Sequence, residues 1–115
     1  MGFSEFEIKR LEKLTREFIN HLRPPVDVRD KVDLGCRIEG QSVYLYEIRA
    51  RWDQPEVKLE SAIAKATFVR SKKVWKISWK RADLRWHKYQ PCPEVNSIER
   101  FLEVVDEDSF GCFWG

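Results

Sequence analysis

Apolar residues recur at helical spacing in the first part of the chain. They lie three or four residues apart, which places them on one face of a helix: Ile8, Leu11, Leu14, Phe18 and Leu22. Ser4 precedes this run and Glu7 follows three residues later, which is the pattern of a capping box. Pro24 and Pro25 disfavour helix immediately before them. The pattern therefore predicts a helix over residues 4–23.

Residues 34–81 change to a twofold alternation of apolar and polar side chains, which is typical of β-strands. Four runs show this alternation: 34–38, 43–52, 62–70 and 74–80. Gly40 lies in the first connection and can adopt the positive φ of a tight turn. Residues 53–61 contain Pro55 and four charges, and we expect them to form a loop. Short connections of this kind favour antiparallel pairing.

The alternation also predicts which face of a strand is buried. In the second strand the residues on the aromatic face are Tyr44, Tyr46, Ile48, Ala50 and Trp52. We expect this face to be core, with a peptide groove or a dimer interface as the alternative. The opposite face begins with Val43 and Leu45 and becomes charged toward its end. In the third strand the residues that share one side are Ala62, Ala64, Ala66 and Phe68.

The last third of the chain predicts a second helix and an apolar tail. Residues 81–89 fit either a continued strand or one helical turn, and prolines end both. An apolar face over 96–106 predicts a helix capped by Asn96 or Ser97, with Glu99 as a partner in a capping box. The tail, 109–115, contains three aromatic residues, and we expect it to dock on the body or on a second copy.

These elements predict one α+β domain over residues 1–115. It consists of an N-terminal helix, about four antiparallel strands and a C-terminal helix, with the helices on one face of the sheet. The 115 residues are 43% hydrophobic, enough for a core, and no apolar run reaches the roughly 18 residues of a membrane span. No signal-peptide pattern opens the chain. Three cysteines, an odd number without a close pair, indicate a cytoplasmic location.

Three segments resemble a small bacterial family catalogued as domain of unknown function 3024. They are RIEGQSV at 37–43, WKISWKRADLRWH at 75–87 and VDEDSFGCFWG at 105–115. The resemblance covers nearly the whole chain and implies a bacterial protein that consists of this domain alone. It implies no activity, no cofactor and no role for any residue.

Charge is distributed unevenly along the chain. The formal net charge is only +2, but residues 70–88 hold eight basic residues against one acid, and residues 89–115 hold six acids against one base. Tryptophans are interleaved with this basic segment, a mixture that suits single-stranded nucleic acid. The candidate contacts are Lys72, Lys73, Lys76, Lys80, Arg81, Arg85 and Lys88. The alternative is an ordinary solvated face, because alternation puts Trp75 and Trp79 opposite the lysines.

A second candidate is an acid–base pair. If residues 81–89 form a helical turn, Asp83 and His87 lie four residues apart on one side, as in a general-base arrangement. Ser78 and Cys92 are near in sequence, but nothing in the pattern places them as nucleophiles. An ion pair between Asp83 and His87 explains the same residues.

A metal site and a protein partner complete the candidates. Cys36, His87, Cys92 and Cys112 are the residues able to bind zinc, but their spacing matches no usual motif, so we predict no metal and no cofactor. The sequence thus favours a non-catalytic binding module with nucleic acid as its partner. A homodimer or protein-interaction module, acting through the apolar tail or an edge strand, is the alternative.

Overall fold

The chain begins with a helix whose N-terminus is closed by the predicted capping box. The structure, a computed structural model, describes residues 3–29, 31–81, 83–108 and 113. Helix α1 spans Glu5–Leu22. The Ser4 hydroxyl accepts a hydrogen bond from the backbone N–H of Glu7, and the Glu7 carboxylate accepts one from the N–H of Ser4. A short 3-10 helix, Val26–Val28, then leads to the sheet.

Within the residues that the structure describes, six strands form one antiparallel sheet. They are β1 Val32–Glu39, β2 Ser42–Ala50, β3 Lys58–Val69, β4 Val74–Lys80, β5 Trp86–Lys88 and β6 Glu94–Val95. The strand order is β1-β2-β3-β4-β5, and β6 also pairs with β4. Strands β5 and β6 pair with opposite ends of β4, at Ser78–Lys80 and at Trp75–Lys76 respectively. Helix α2, Ile98–Glu107, completes the described elements.

The helix–sheet–helix architecture is confirmed, but the expectation of about four strands is wrong. Strands β5 and β6 have three and two residues, too few to show a twofold alternation. The described residues of 81–89 neither continue β4 nor form a helical turn, because the chain reverses after Lys80 and returns as β5. Residues 58–61, expected in a loop, belong to β3 and pair with 47–50 of β2. All four are exposed, so no buried face marks them as strand.

The core lies between the helices and one face of the sheet. Val43 and Leu45 of β2 are fully buried there, opposite Ala66 and Ala64 of β3. The prediction that the aromatic face of β2 is core is therefore wrong, since Tyr44 and Tyr46 point the other way and stay partly exposed. The physical reason is the register: the alanines of β3 leave room for α2, whose Phe101 is fully buried.

A register shift separates the two ends of the β2–β3 hairpin. Leu45 is opposite Ala64, whereas Tyr46 is opposite Ala62, so Ile63 is an extra residue in β3. Ala62 therefore shares the face of Tyr46 rather than that of Ala64, which corrects the alternation predicted for the third strand. Ile63 packs against the core.

The C-terminal part of the chain closes the core. Ser97, one of the two predicted caps, accepts the N–H of Arg100, while Glu99 pairs with Arg10 of α1 at 2.8 Å instead of completing a capping box. Of the apolar tail, the structure describes Phe113, which is buried with its ring centroid 4.7 Å from that of Tyr89. The other tail residues lie outside the described part. No helix in the described ranges is long and apolar enough to cross a membrane.

Candidate functional site

The sheet face turned away from the helices carries polar and aromatic side chains; we call it the open face. The register places one residue from each of β1 to β5 in a single row across it: Arg37, Tyr44, Lys65, Ser78 and Lys88. Neighbouring strands lie about 4.8 Å apart, so this row is roughly 19 Å long. The row crosses the sheet perpendicular to the strands.

Aromatic rings and lysines alternate at the centre of the open face. The ring centroids of Tyr44 and Trp86 lie 5.9 Å apart. The Nζ atom of Lys65 lies 5.8 Å from the Tyr44 centroid and 5.0 Å from that of Trp86, and Lys80 Nζ lies 5.7 Å from the Trp86 centroid. These distances are within the range of cation–π contacts. We call these four residues the open-face cluster; Tyr44, Lys80 and Trp86 line one side of a cavity of about 310 Å³.

Acids neutralise the β1 side of the open face. Arg37 lies over the Tyr46 ring, 5.3 Å from its centroid, and bonds Glu60 at 3.0 Å and Glu39 at 3.5 Å. The negative charge of Glu60 raises the pKa of Arg37. This end of the face is therefore an ion-pair network with little excess charge.

The β3–β5 side keeps an excess of positive charge. Within the described ranges, no carboxylate lies at salt-bridge distance from the four lysines of this region: Lys65, Lys76, Lys80 and Lys88. Glu94 is the register neighbour of Lys76 and the nearest acid by pairing. An anion on this side of the face would meet cations with no competing salt bridge.

The structure divides the seven predicted cations among three places. Lys76, Lys80 and Lys88 lie on the open face, while Lys72 and Lys73 lie in the exposed β3–β4 turn. The remaining two, Arg81 and Arg85, are exposed in the loop between β4 and β5, where the guanidinium carbon of Arg81 lies 5.5 Å from the Trp79 centroid.

The tryptophans of the basic segment do not share one environment. Trp75 is 6% exposed, and Trp79 packs against the core, so neither presents a free ring on the open face. Trp86 lies on the same face as the lysines because it pairs with Lys80. The aromatic component of the open face thus comes from Trp86 together with Tyr44.

Sequence reasoning missed two members of the open-face cluster. The alternation of β2 predicts Tyr44 in the core, and Lys65 lies outside the basic segment 70–88. Lys65 is the only charged residue in the run 62–69, and a lysine in the middle of an apolar strand is expected on a solvent-facing side. Twofold alternation also puts Lys76 and Lys80 on the solvent side of β4. Together, these two signals indicate which face of the sheet is open.

Asp83 and His87 form the predicted contact, in a loop rather than a helix. His87 Nε2 lies 2.9 Å from Asp83 Oδ2, and Asp83 Oδ1 accepts the backbone N–H of Arg85 at 3.0 Å. Leu84 adopts φ of +61° at the tip of this loop. The hydrogen bond to His87 holds the pKa of Asp83 below its usual range. This arrangement closes the tight connection between β4 and β5.

The same loop does not bring the suggested nucleophiles to His87. Ser78 pairs with Lys88 and lies on the open face, whereas His87 pairs with Trp79 and points to the opposite face. The thiol of Cys92 contacts the carbonyl of Glu94 at 3.8 Å. The geometry accounts for Asp83 and His87 as a hydrogen-bonded pair that holds the loop closed.

The predicted zinc residues are separated in the fold. Cys36 lies on β1 against the core, Cys92 lies in the turn after β5, and His87 is held by Asp83, while Cys112 is outside the described residues. Within the ranges that the structure describes, no three His, Cys, Asp or Glu residues are grouped to hold a metal ion.

The fold and the open face define a class of protein. It is a small α+β domain in which two helices cover one face of an antiparallel sheet and leave the other face open. The family model described as Domain of unknown function (DUF3024) matches residues 3–115, so the chain belongs to this family, as the resemblance predicted. No curated protein and no solved structure matches the chain.

Proposed function

We propose that this protein binds single-stranded nucleic acid on its open face. The observation that carries the proposal is the open-face cluster, in which Tyr44 and Trp86 lie beside Lys65 and Lys80. Unstacked bases need flat aromatic surfaces, and phosphates need cations at intervals along the strand. The cluster offers both on one face of the sheet, in the row that holds Tyr44 and Lys65 and in the adjacent pair of Lys80 and Trp86.

The partly exposed rings favour a single strand over a duplex. Bases in a duplex are stacked on each other and offer no free face to Tyr44 or Trp86. An open antiparallel sheet with aromatic side chains is one of the surfaces on which single-stranded RNA is known to stack. A row of about 19 Å, crossing strands spaced about 4.8 Å apart, matches a short segment of a few nucleotides.

The basic residues outside the cluster give the strand a path. Lys76 lies on the same face of β4 as Lys80, and Lys72 and Lys73 continue in the adjoining turn. Lys88 lies at the β5 end of the row. Phosphates would contact the lysines of β4 where the nucleic-acid strand crosses it, while bases reach toward Trp86 and Tyr44. A cytoplasmic location, as the cysteine count predicts, is consistent with such a ligand.

The first test is a fluorescence titration with a labelled oligothymidylate and with a duplex of equal length. We expect the single strand to bind at low salt, to quench tryptophan emission and to bind more weakly as salt increases. Lys80→Ala should reduce the salt slope by about one unit, as expected for one lost phosphate contact. The matched control is Lys9→Ala, since Lys9 is exposed on α1, which covers the opposite face.

Trp86→Ala tests the stacking component separately. Loss of one base–aromatic stack costs about 1–3 kcal/mol, a roughly 5- to 150-fold weaker affinity, and Trp86→Phe should restore most of it. Trp52→Ala is the control, because Trp52 is 94% exposed in the β2–β3 connection and is not part of the open-face cluster. Absence of binding at low salt, or equal affinity for the duplex, would exclude the proposal.

A further inference from the structure

The cavity on the open face has aromatic walls. Its volume is about 310 Å³, and Tyr44 and Trp86 of the open-face cluster line it together with Tyr46. A single nucleobase is a flat ring system smaller than this volume, and aromatic side chains suit the flat faces of such a ring. The cavity therefore has the dimensions and the walls of a binding place for one base.

The hollow exists because a small residue lies at its floor. Ala62 lines the cavity together with the much larger Tyr46 and Lys80. Ala62 reaches the open face through the register shift at Ile63, which places it opposite Tyr46. Without this shift, regular alternation would put Ile63 opposite Tyr46, and its larger side chain would occupy the hollow. The bulge thus provides the space that a base needs.

The charged side chains that line the cavity cancel one another. Arg37 and Lys80 supply two positive charges, and Glu39 and Glu60 supply two negative charges. This balance suits a neutral polar group, whereas a phosphate is attracted more strongly to the lysines on the β3–β5 side of the face. A nucleic-acid strand held by those lysines therefore presents a base, and not its backbone, to the cavity.

The β1 side of the cavity offers mainly hydrogen-bond acceptors. Arg37 donates from one terminal nitrogen to Glu60 Oε1 at 3.0 Å and from the other to Glu39 Oε1 at 3.5 Å. Among the described residues, the second oxygen of each glutamate, Oε2, has no hydrogen-bond partner. An ionised carboxylate only accepts hydrogen bonds, and its two oxygens offer about four lone-pair sites. A base edge that faces these glutamates must therefore bring N–H groups.

Guanine is the nucleobase whose edge matches a carboxylate. Its Watson–Crick edge presents two adjacent donors, N1–H and the N2 amino group, which can bond both oxygens of one carboxylate. Adenine and cytosine instead present an amino group beside a ring nitrogen that accepts, and thymine and uracil present one N–H between two carbonyl oxygens. A carboxylate oxygen repels these acceptors. Hydrogen bonds to a charged carboxylate are stronger than neutral ones, so the difference between the bases is measurable.

We propose that this cavity selects guanine from a single strand, with Glu60 as the residue that reads the base edge. The inference rests on the proposed function, because it names the base that the open face prefers. Tyr44 and Trp86 contact the face of the guanine, and the Glu60 carboxylate accepts its two N–H donors. Arg37 keeps this carboxylate in position through the shorter of its two carboxylate contacts. The lysines of β4 hold the neighbouring phosphates.

Labelled oligothymidylates of equal length, which differ only at one central base, test this preference by fluorescence anisotropy. We expect central guanine to bind about fivefold or more tighter than central adenine, cytosine or thymine, the lower end for a bidentate contact to a base. Hypoxanthine lacks the N2 amino group and should lose most of this gain. 7-Deazaguanine keeps both N–H donors and should retain it, which distinguishes the Watson–Crick edge from the opposite edge.

Glu60→Gln tests the assignment on the protein. Glutamine has the same shape but replaces one acceptor oxygen with a donor, so the guanine preference should be lost. The ratio of affinities for the guanine and thymine strands is the measurement, because removal of a negative charge raises the affinity for every strand. Glu56→Gln is the matched control, since Glu56 is exposed in the β2–β3 connection and does not line the cavity. It should keep the preference.

The outcomes separate this inference from the proposed function. Equal affinities for the four central bases, with oligothymidylate still bound, would overturn guanine selection and leave single-strand binding in place. Tighter binding of adenine or cytosine would also overturn it, as would a guanine preference that survives Glu60→Gln or that is lost equally in Glu56→Gln. Absence of binding by every strand would overturn both proposals.

Discussion

At the scale of single residues, one glycine determines how closely Tyr46 approaches β1. Gly35 is opposite Tyr46 in the register, and a β-carbon at Gly35 would lie 2.7 Å from the tyrosine ring. We predict that Gly35→Ala lowers the free energy of unfolding by about 1–3 kcal/mol, because the ring must leave its place over the strand. Urea denaturation measures this change.

Two further variants show whether the Tyr46 contact is the cause. In a Tyr46→Ala background, Gly35→Ala should cost clearly less, since the ring is absent. Gly40→Ala is the control: its β-carbon meets nothing within 4 Å, but its φ of +57° makes alanine cost about 1–2 kcal/mol in either background. A cost at Gly35 that does not depend on the residue at position 46 would contradict the contact.

At the scale of elements, Glu7 joins the start of α1 to the end of β3. Its carboxylate caps Ser4 and also accepts a hydrogen bond from Arg70 at 3.0 Å. The Arg70 guanidinium, followed by the Ser4 N–H, lowers the pKa of Glu7 from 4.5 to about 2. The ionised carboxylate therefore stabilises the folded state above pH 4.5, and this contribution is lost as the pH falls from 4.5 through about 2.

Glu7→Gln tests this pH dependence. Glutamine can keep the capping box but carries no charge, so the variant should melt below the original chain at pH 7. The difference in Tm should shrink as the pH falls below 4.5 and vanish near 2. Glu5→Gln removes a charge from the same turn and is the control. A Tm difference that stays constant over this range would rule out the Arg70 contact as its source.

At the scale of the whole molecule, the C-terminal segment contributes to the common core. Phe113 lies 5% exposed against Tyr89, and its backbone N–H donates to the Asp108 carboxylate at 3.1 Å. We predict that Phe113→Ala lowers the free energy of unfolding by about 3 kcal/mol, at the low end for a buried phenylalanine. Phe6→Ala is the control, because Phe6 is 80% exposed and its loss should change stability by about 0.5 kcal/mol or less. Thermal denaturation compares the two variants, and equal effects would contradict a structural role for the tail.

Some elements were predictable because their signals are local. The capping box, the apolar stripe of α1, the Gly40 turn and the alternation of β4 each lie within a few residues. The same parity placed Lys76 and Lys80 on the solvent side of β4. The sequence therefore predicted the lysines that β4 contributes to the candidate site. It did not predict Tyr44 and Lys65, because these residues come from the neighbouring strands β2 and β3.

The sequence by itself determined the two helices, the antiparallel character of the sheet and the basic side of β4. Only the tertiary structure decided which face of β2 is buried, because the alanines of β3 that pair with Val43 and Leu45 lie about 20 residues away along the chain. It also decided that Trp86 joins Lys80, since β5 is a strand only through its pairing with β4. Periodicity and capping act within one segment, whereas register and edge pairing depend on residues that folding brings together.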